Sequence, residues 1–410
     1  MTFQAFKFRI NPTDIQKELL SKHFGCSRFI YNHFLKEKQN HYLNNGKTLN
    51  YNYCCLGLTE LKGKENTIWL KEVNSQMLQQ SLKNLETAYG NFFRKKSKFP
   101  KFKKKSNNQS FRIPQHIKVD RDIIRIPKFN EGIKINLHRP LTGDIKSATF
   151  SKTPSNKYFV SILCEVPKKS KTKTSKNVGI DLGITDFIVL SNGQKIKNPN
   201  FNRKSKHQLS KQQKHLSRKT KGSSRYNKQR IKVARIHEKI NNSRRDFQHK
   251  LSSKLISEYD IISLEDLAVK NMIKNPSLAY SISDSGWSSF VSMLEYKALW
   301  YGKQVIKIDR WYPSSKTCNE CDYIVDKLPL NVRKWKCPKC SMEHDRDVNA
   351  AKNILRQGLS NVYSPERCLT NVEMEALVIV SNNDDETTIN ETLKKKLKNR
   401  KVVKLKPLGL

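Results

Sequence analysis

Alternating polar and apolar positions open the chain and return between residues 122 and 166. Lys7-Phe8-Arg9-Ile10 and Ile133-Lys134-Ile135-Asn136-Leu137 have the two-residue period of a half-buried strand. Two more apolar runs, residues 146–150 and 158–166, flank Pro154-Ser155-Asn156, and this arrangement predicts a hairpin. Together with the N-terminal strand, these segments predict a small β-barrel.

Helical periodicity dominates the residues between the first strand and this β-rich region. Thr13 and Gln16 have the spacing of a capping box, which predicts a helix that ends at Gly25. A second helix would carry residues 29–34, and the pair is typical of either a helix-turn-helix or an ordinary helical hairpin. Residues 74–93 place apolar side chains at three- and four-residue steps, which predicts an amphipathic helix.

Acidic residues interrupt or end three apolar segments in the second half of the chain. Residues 177–190 predict two buried strands, and Asp181 lies inside the first of them. An unpaired carboxylate is costly there, and a bound metal would remove the cost. Residues 260–267 predict another strand with Glu265 near its end. Asp345 and Asp347 precede a predicted helix over residues 348–355, where a carboxylate can also serve only to stabilise the helix start.

Two pairs of cysteines predict a structural metal site shortly before that helix. Cys318-Asn-Glu-Cys321 and Cys337-Pro-Lys-Cys340 are separated by fifteen residues, which is the spacing of a zinc ribbon. Four thiolates give the closed tetrahedral shell that structural Zn²⁺ prefers, so we assign the site to folding and not to catalysis. Four free thiols in a reducing compartment would be the alternative.

The charge balance indicates a polyanionic partner. The 410 residues contain 79 Lys+Arg against 36 Asp+Glu, a formal net charge of +43. No acidic residue occurs between Glu86 and Asp120 or between Asp186 and Glu238. The first gap interleaves aromatic residues with cations, as nucleic-acid surfaces do, although a basic linker has the same composition. The second gap enters a long helix or helical hairpin over residues 203–255, with one face toward a core and one toward phosphates.

The candidate nucleic-acid contacts come from these segments. Glutamine and lysine on the helix at residues 74–93 can reach base edges or phosphates, although such residues are more often only solvated. The candidates are Gln76, Gln80, Lys83, Lys101, Lys103, Arg203, Lys211, Arg218, Lys219 and Arg225.

Compartment and membrane signals point to the cytoplasm. No apolar run approaches the roughly 20 residues that span a bilayer, and we find no secretory signal at the N-terminus. Nine cysteines are present, and the five outside the zinc pattern are scattered, which fits a reduced protein better than a disulfide scaffold. We therefore expect a cytoplasmic, nucleoid-associated protein with no membrane partner.

Three separate acids suggest a catalytic metal site. Oxygen ligands without histidine suit Mg²⁺ or Mn²⁺. Two such ions about 4 Å apart can hold an attacking water and a leaving oxygen around a phosphodiester. With cationic flanks to hold the substrate, Asp181, Glu265 and Asp347 predict phosphoryl-transfer hydrolysis.

Three motifs carry a resemblance to a known family. They are Gly179-Ile180-Asp181-Leu182-Gly183, Leu264-Glu265-Asp266-Leu267 and Asp345-Arg346-Asp347-Val348-Asn349-Ala350-Ala351. They resemble the three RuvC motifs of the TnpB (OrfB) family of transposon-encoded proteins, which are similar to compact type V CRISPR effectors. Phe6-Lys7-Phe8-Arg9, Phe99-Pro100-Lys101-Phe102-Lys103 and the ribbon before the third motif are also similar. The resemblance covers roughly residues 1–370.

The resemblance implies a fold of α/β plus β class. It implies a wedge β-barrel domain (1–10 and 100–170) that carries a helical recognition domain (11–99). An RNase H-like, or RuvC-like, nuclease domain (171–313 and 342–370) would contain the inserted zinc ribbon (314–341). We expect residues 371–410 to form a flexible tail.

The resemblance also implies an activity, an RNA-guided DNA endonuclease of an insertion sequence. Asp181, Glu265 and Asp347 would hold Mg²⁺ or Mn²⁺, with Asp345 either supporting them or standing in for Asp347. The expected partners are a guide RNA derived from the transposon end and target double-stranded DNA read beside a short motif. We expect a monomer on one RNA. A nuclease-silent RNA-guided repressor, a CRISPR-associated type V effector and a transposase are the alternatives.

Overall fold

The computed structural model describes residues 1–106, 108–168, 170–329 and 331–363. The predicted tail at 371–410 and Cys368 lie outside the described residues. Contacts divide the chain into two compact units. The first comprises Met1–Thr172, Asn200–Ile256 and Ser292–Gly302, and the second comprises Lys173–Pro199, Ser257–Val291 and the described residues from Lys303 onward. The domain boundaries drawn from the resemblance stay a prediction.

Both units mix helices and strands. The helices are α1 (Asp14–Asn45), α2 (Tyr51–Gly63), α3 (Ser75–Phe93), α4 (Phe201–Ser217), α5 (Ser224–Glu258), α6 (Val269–Met272), α7 (Pro276–Ser285), α8 (Trp287–Tyr301) and α9 (Arg346–Tyr363), with a 3₁₀ segment at Glu65–Glu72. The strands are β1 (Thr2–Asn11), β2 (Gln109–Ile113), β3 (Lys118–Asp120), β4 (Ile123–Ile126), β5 (Phe129–Asn136), β6 (Asp144–Lys152), β7 (Tyr158–Val166), β8 (Asn177–Leu182), β9 (Asp186–Leu190), β10 (Lys195–Lys197), β11 (Ile261–Glu265), β12 (Gln304–Ile308), β13 (Lys334–Lys336) and β14 (Glu343–Asp345).

The first unit contains a seven-stranded antiparallel sheet. Its strand order is β2-β6-β7-β1-β5-β4-β3, and the predicted hairpin of β6 and β7 is confirmed. Phe6, Phe8 and Ile10 of β1 are buried while the residues between them are exposed, as the alternation predicts. Among the described residues the end strands β2 and β3 do not pair, so the predicted barrel is an open sheet. Helices α1 and α3 contact β2, so this edge is covered without closure.

Helix α1 corrects one prediction. The capping box of Thr13 and Gln16 is present, but the helix passes through Gly25 and ends only where Gly46 adopts a left-handed conformation at φ +63°. A glycine inside a helix costs about 1 kcal/mol. Burial of the flanking Phe24 and Cys26 and of later residues outweighs that cost. Neither a helix-turn-helix nor a hairpin therefore occurs at residues 14–45.

Helices α4 and α5 form the hairpin that was one of two alternatives for the basic region. Gln229 of α5 is buried, and its Nε2 atom donates to the backbone oxygen and to Oε1 of Gln212 in α4, at 3.0 and 2.8 Å. This polar contact fixes the register of the two helices.

The second unit is built on a five-stranded mixed sheet. Its strand order is β10-β9-β8-β11-β12, in which β8, β11 and β12 run parallel and β9 and β10 complete an antiparallel edge. Strand β8 is nearly continuously apolar up to Asp181, as expected for a parallel strand covered on both faces. Helix α9 packs on β8 and β11. In the part of the chain that the structure describes, no helix is long and apolar enough to span a bilayer.

Candidate active site and metal centre

Two carboxylates meet at one edge of the five-stranded sheet. The parallel pairing of β8 with β11 aligns Ile180 with Leu264, and Asp181 and Glu265 are the next residues on each strand. Adjacent strands lie about 4.8 Å apart, so the two acids leave the sheet side by side. Two predicted strands that pair in parallel therefore suffice to place Asp181 beside Glu265.

Helix α9 brings Asp347 to the same edge, because two glycines allow it to approach the sheet closely. A Cβ atom on Gly179 would lie 2.0 Å from the backbone oxygen of Ala351, and one on Gly358 would lie 2.0 Å from Oγ of Ser263. Asp347 is one helical turn before Ala351, about 6 Å along the axis. Asp181 is two residues beyond Gly179, about 6.6 Å along the strand. The charge of Asp347 acts on Asp181, so the helix starts in the neighbourhood of the end of β8.

The charges of Glu265 and Asp347 both act on Asp181. The pKa of Asp181 is raised to about 7. Burial is the largest cause, the charges of Glu265 and Asp347 add to it, and the charge of Arg346 opposes it. Burial also raises the pKa of Glu265, against a hydrogen bond from Ser314. Concentrated negative charge of this kind is unfavourable without a cation.

The donor set fits a divalent metal that prefers oxygen. The charges of two further carboxylates act on Asp181, and no histidine is among those charges. Ser314 Oγ donates to Glu265 Oε1 at 2.5 Å, and Arg333 Nη1 lies 3.3 Å from each carboxylate oxygen of Asp347. Within the described residues, the only group of ligand atoms that all lie within 4.8 Å of one another is formed by the cysteines. The acidic site is therefore more open than the cysteine site.

Asp345 has a different task from Asp347. Its Oδ1 atom accepts hydrogen bonds from the backbone nitrogens of Asp347 and Val348, at 3.2 and 3.1 Å, which makes it the N-cap of α9. Its other oxygen is 2.7 Å from Nζ of Lys195. Because both oxygens are engaged, the geometry supports a positioning role for Asp345.

The four predicted cysteine ligands form one cluster. The Sγ atoms of Cys318 and Cys340 are 3.6 Å apart, and so are those of Cys321 and Cys337. Tetrahedral Zn–S bonds of about 2.3 Å place sulfurs about 3.8 Å apart, so the spacing fits this metal. His344 Nε2 lies 3.1 Å from Cys318 Sγ, a contact that the cysteine spacing does not predict.

Asparagines of α9 join this ribbon to the helix that carries Asp347. Asn349 Nδ2 donates to the backbone oxygen of Thr317 at 2.7 Å, and Asn353 Nδ2 donates to those of Ser314 and Thr317 at 2.8 and 2.6 Å. Both asparagines are buried. Their signal in the sequence is weak, because polar residues occur throughout this helix.

Ser314 and Arg333 are the residues that sequence reasoning missed beside the acids. Ser314 contacts Glu265, which is 49 residues away in the sequence, and Arg333 contacts Asp347, which is 14 residues away. Neither belongs to a motif with a recognisable spacing, so only the folded chain reveals them.

The predicted nucleic-acid contacts are placed differently from one another. Gln76 and Gln80 are half-buried and donate to Gln115 and Asn84, at 3.0 and 3.3 Å. Lys103 Nζ lies 3.9 Å from the centre of the Tyr31 ring, so its cation is engaged. Lys219 is half-buried, and the remaining candidates are exposed; these are Lys83, Lys101, Arg203, Lys211, Arg218 and Arg225.

The segment that holds Lys101 and Lys103 is attached to α1. Asn32 donates to the backbone oxygen of Lys103 and accepts from its backbone nitrogen, at 2.9 and 2.7 Å. Phe99 packs edge-on against Tyr89 and Phe92 of α3. These contacts favour an ordered basic surface over a basic linker.

Comparison with known proteins gives consistent matches along the chain. Residues 161–276 match the family model OrfB_IS605, described as "Probable transposase". Residues 287–354 match "Cas12f1-like, TNB domain". Residues 1–47 match a "Helix-turn-helix domain" of OrfB_IS605 proteins, although the structure has a strand and one continuous helix there.

Two curated relatives are similar over most of their length. A "Putative RNA-guided DNA endonuclease" of Streptomyces pristinaespiralis is 43% identical over 87% of this chain and 90% of its own. "Putative RNA-guided DNA endonuclease InsQ" of Escherichia coli K12 is 36% identical over 87% and 92%. A solved structure, "Cryo-EM structure of the Cas12f1-sgRNA-target DNA complex", is similar with a TM-score of 0.48 and 13% identity over 86% of this chain and 98% of that one.

The fold and site define a mixed α/β protein with a four-cysteine cluster and an acidic site at one sheet edge. The long matches at 43% and 36% identity then place the chain in a family. It belongs to the TnpB (OrfB) family, which is related to type V effectors.

Proposed function

We propose that this chain is an RNA-guided DNA endonuclease of an insertion sequence. The observation that carries the proposal is that Asp181 and Glu265 follow paired residues of adjacent parallel strands, and that burial, followed by the charges of Glu265 and Asp347, raises the pKa of Asp181 to about 7. The names of the two similar relatives and the net charge of +43 support nucleic acid as the substrate. The strand order of the second unit is compatible with an RNase H-like nuclease domain.

The reaction is hydrolysis of a DNA phosphodiester, in which a water oxygen attacks phosphorus and the bond to the leaving oxygen breaks. Asp181, Glu265 and Asp347 would hold Mg²⁺ or Mn²⁺, which when bound supplies an activated water and stabilises the leaving oxygen. Ser314 orients Glu265 through its hydrogen bond, and Asp345 holds the start of α9. Arg333 pairs with Asp347, and a cation held by Asp347 would compete with that contact.

The partners follow from the same proposal. A guide RNA from the transposon end pairs with one strand of target DNA, and protein side chains read a short adjacent duplex motif. Exposed cations on α4 and α5 are suited to RNA or DNA phosphates, and Lys83 and Lys101 are suited to a second backbone. The half-buried Gln76 and Gln80 keep a motif-reading role only if they exchange their present partners. The cysteine cluster holds structural Zn²⁺, one protein chain binds one RNA, and the complex acts on DNA in the cytoplasm.

The test uses the full chain purified with co-expressed transposon-end RNA. Plasmids with and without a sequence matching the guide are incubated with Mg²⁺, and we expect cutting only of the matched plasmid. Asp181→Ala should abolish cutting while RNA binding persists. Glu343→Gln is the matched control, because Glu343 is an exposed acid four residues before Asp347.

Four results would contradict the proposal. Cutting that ignores the guide would indicate a nuclease of another kind. Guided binding without cutting would favour the repressor alternative. Cutting by the Asp181→Ala variant would refute the assignment of the acids. Guides encoded away from the transposon end would favour a CRISPR-associated effector.

A further inference from the structure

A short turn between β12 and the cysteine ribbon holds a tryptophan in a fixed place. Oδ1 of Asp309 accepts from the backbone nitrogen of Trp311 at 2.7 Å. The backbone nitrogen of Tyr312 donates to the oxygen of Asp309 at 3.3 Å, and that of Ser314 donates to the oxygen of Tyr312 at 2.8 Å. Three hydrogen bonds within six residues define the backbone of this turn.

Both ends of the turn are bound to the end of β11, where Glu265 lies. Before Trp311, the guanidinium of Arg310 pairs with the carboxylate of Asp266, and its Nε atom donates to the Asp266 backbone oxygen at 3.0 Å. After Trp311, Ser314 Oγ donates to Glu265 at 2.5 Å. Three residues of chain span at most about 11 Å, so Trp311 is confined to the neighbourhood of the acids.

The indole of Trp311 is 85% exposed, although it is among the largest apolar side chains. Single exposed apolar residues are common and need no ligand. Here the exposed residue stands on a turn anchored on both sides to the acidic strand end, and the residue before it in the chain, Arg310, is a partly exposed cation. Exposed aromatic rings combined with cationic side chains are typical of surfaces that bind unpaired bases and their backbone.

We propose that Trp311 is a stacking platform for an unpaired base of the DNA strand whose phosphodiester is cut. This inference rests on the proposed nuclease function and deepens it by naming single-stranded DNA as the ligand of this edge. Stacking holds one nucleotide against the turn, and the anchors at Glu265 and Asp266 hold the turn beside the acids. Trp311 is thus a positioning residue, since it orients the strand without taking part in bond breaking.

The test compares Trp311→Ala, Trp311→Leu and Trp311→Phe in the full chain with its co-expressed RNA. Base–aromatic stacking corresponds to a loss of about 5- to 150-fold on removal of the ring, so we expect alanine and leucine to slow cutting of a matched plasmid within that range. Phenylalanine should keep the rate within about threefold of the wild type. Binding of the matched target, measured with Ca²⁺ in place of Mg²⁺, should change little.

A second readout does not require cutting. A short single-stranded oligodeoxynucleotide with one 2-aminopurine, scanned along its length, should show quenching by the wild type and by Trp311→Phe but not by Trp311→Ala or Trp311→Leu. Leucine behaving like the wild type would show an apolar contact in place of stacking and would overturn the proposal. Equal quenching by all variants, or equal cutting rates, would also overturn it.

The two proposals can fail separately. If no form of the protein cuts DNA but quenching depends on the Trp311 ring, the nuclease function falls and Trp311 is left as a contact for single-stranded DNA without a role in cutting. If the wild type and Trp311→Ala cut equally well, the nuclease stands and the stacking platform falls.

Discussion

Replacing Asp181 by asparagine should stabilise the metal-free protein while it removes cutting. The side chain keeps its shape but loses its charge. Burial and the charges of Glu265 and Asp347 oppose ionisation of Asp181 in the folded chain, and these forces are absent after unfolding. The wild type therefore holds an unfavourable negative charge at neutral pH that the variant does not.

The magnitude follows from the difference between the two pKa values of Asp181. The folded value is about 7 and the ordinary value is 3.8, and each pKa unit is worth about 1.4 kcal/mol. The folded state binds the proton more tightly than the unfolded state, so the stabilising effect of that proton is complete below pH 3.8. It is lost as pH rises through 7, by up to about 4 kcal/mol. The advantage of Asp181→Asn should be about 1–2 kcal/mol at pH 5 and about 4 kcal/mol at pH 8.

Urea unfolding of the zinc-loaded protein at pH 5, 6, 7 and 8, without Mg²⁺, measures this difference. Hydrogen exchange of β8 amides assigns the change to the second unit, since a chain with two compact units need not unfold in one step. Added Mg²⁺ should reduce the difference in free energy of unfolding between Asp181→Asn and the wild type at pH 8, because the metal binds strongly only to the wild-type site. Glu343→Gln again serves as the control.

One result would refute the reasoning. If Asp181→Asn has the same stability as the wild type at pH 8, or an advantage that does not change with pH, the three acids do not repel one another as described. The metal site would then lose its main electrostatic support.

Three further predictions concern neighbouring residues. Gly179→Ala should destabilise the second unit and abolish cutting, because the new methyl group has no space. Gly25→Ala is the control and should be neutral or slightly stabilising in thermal unfolding. Equal effects of the two substitutions would contradict the close packing at Gly179. Cys337→Ser should lower bound zinc, measured by mass spectrometry, from one ion per chain toward none, and retention of a full equivalent would contradict the four-thiolate site. Arg333→Ala should lower the Mg²⁺ concentration that gives half-maximal cutting by about two- to fivefold, since a partly exposed ion pair to Asp347 is worth at most about 1 kcal/mol. If the variant needs a higher Mg²⁺ concentration than the wild type, Arg333 supports the metal.

Much of the fold could be predicted from the sequence where local and tertiary forces agree. The alternation in β1, the apolar stripe of α3 and the strand ends at Asp181 and Glu265 all appear in the structure. The predicted helix end at Gly25 was wrong, because a glycine is unfavourable inside a helix but the burial of its neighbours keeps α1 continuous. Local patterns carry no information about such packing.

The candidate site shows the same division. The carboxylates and cysteines could be predicted because each lies in a motif with a defined spacing. Arg333 and Ser314 could not, since loops bring them to the acids and loop paths leave no periodic trace. Glutamines on α3 have the right chemistry for reading bases, yet Gln76 donates to a distant loop residue, Gln115, and no sequence pattern predicts that contact.

Helix α9 carries Asp347 at its start and grips the cysteine ribbon through Asn349 and Asn353. The same helix therefore positions both Asp347 and the cysteine segment, and a movement of the cysteine segment would be transmitted to Asp347. Oxidation of the thiolates or loss of the proposed zinc would therefore disturb the position of Asp347 without acting on its carboxylate, and we expect the proposed nuclease activity to depend on the redox state of the cysteines.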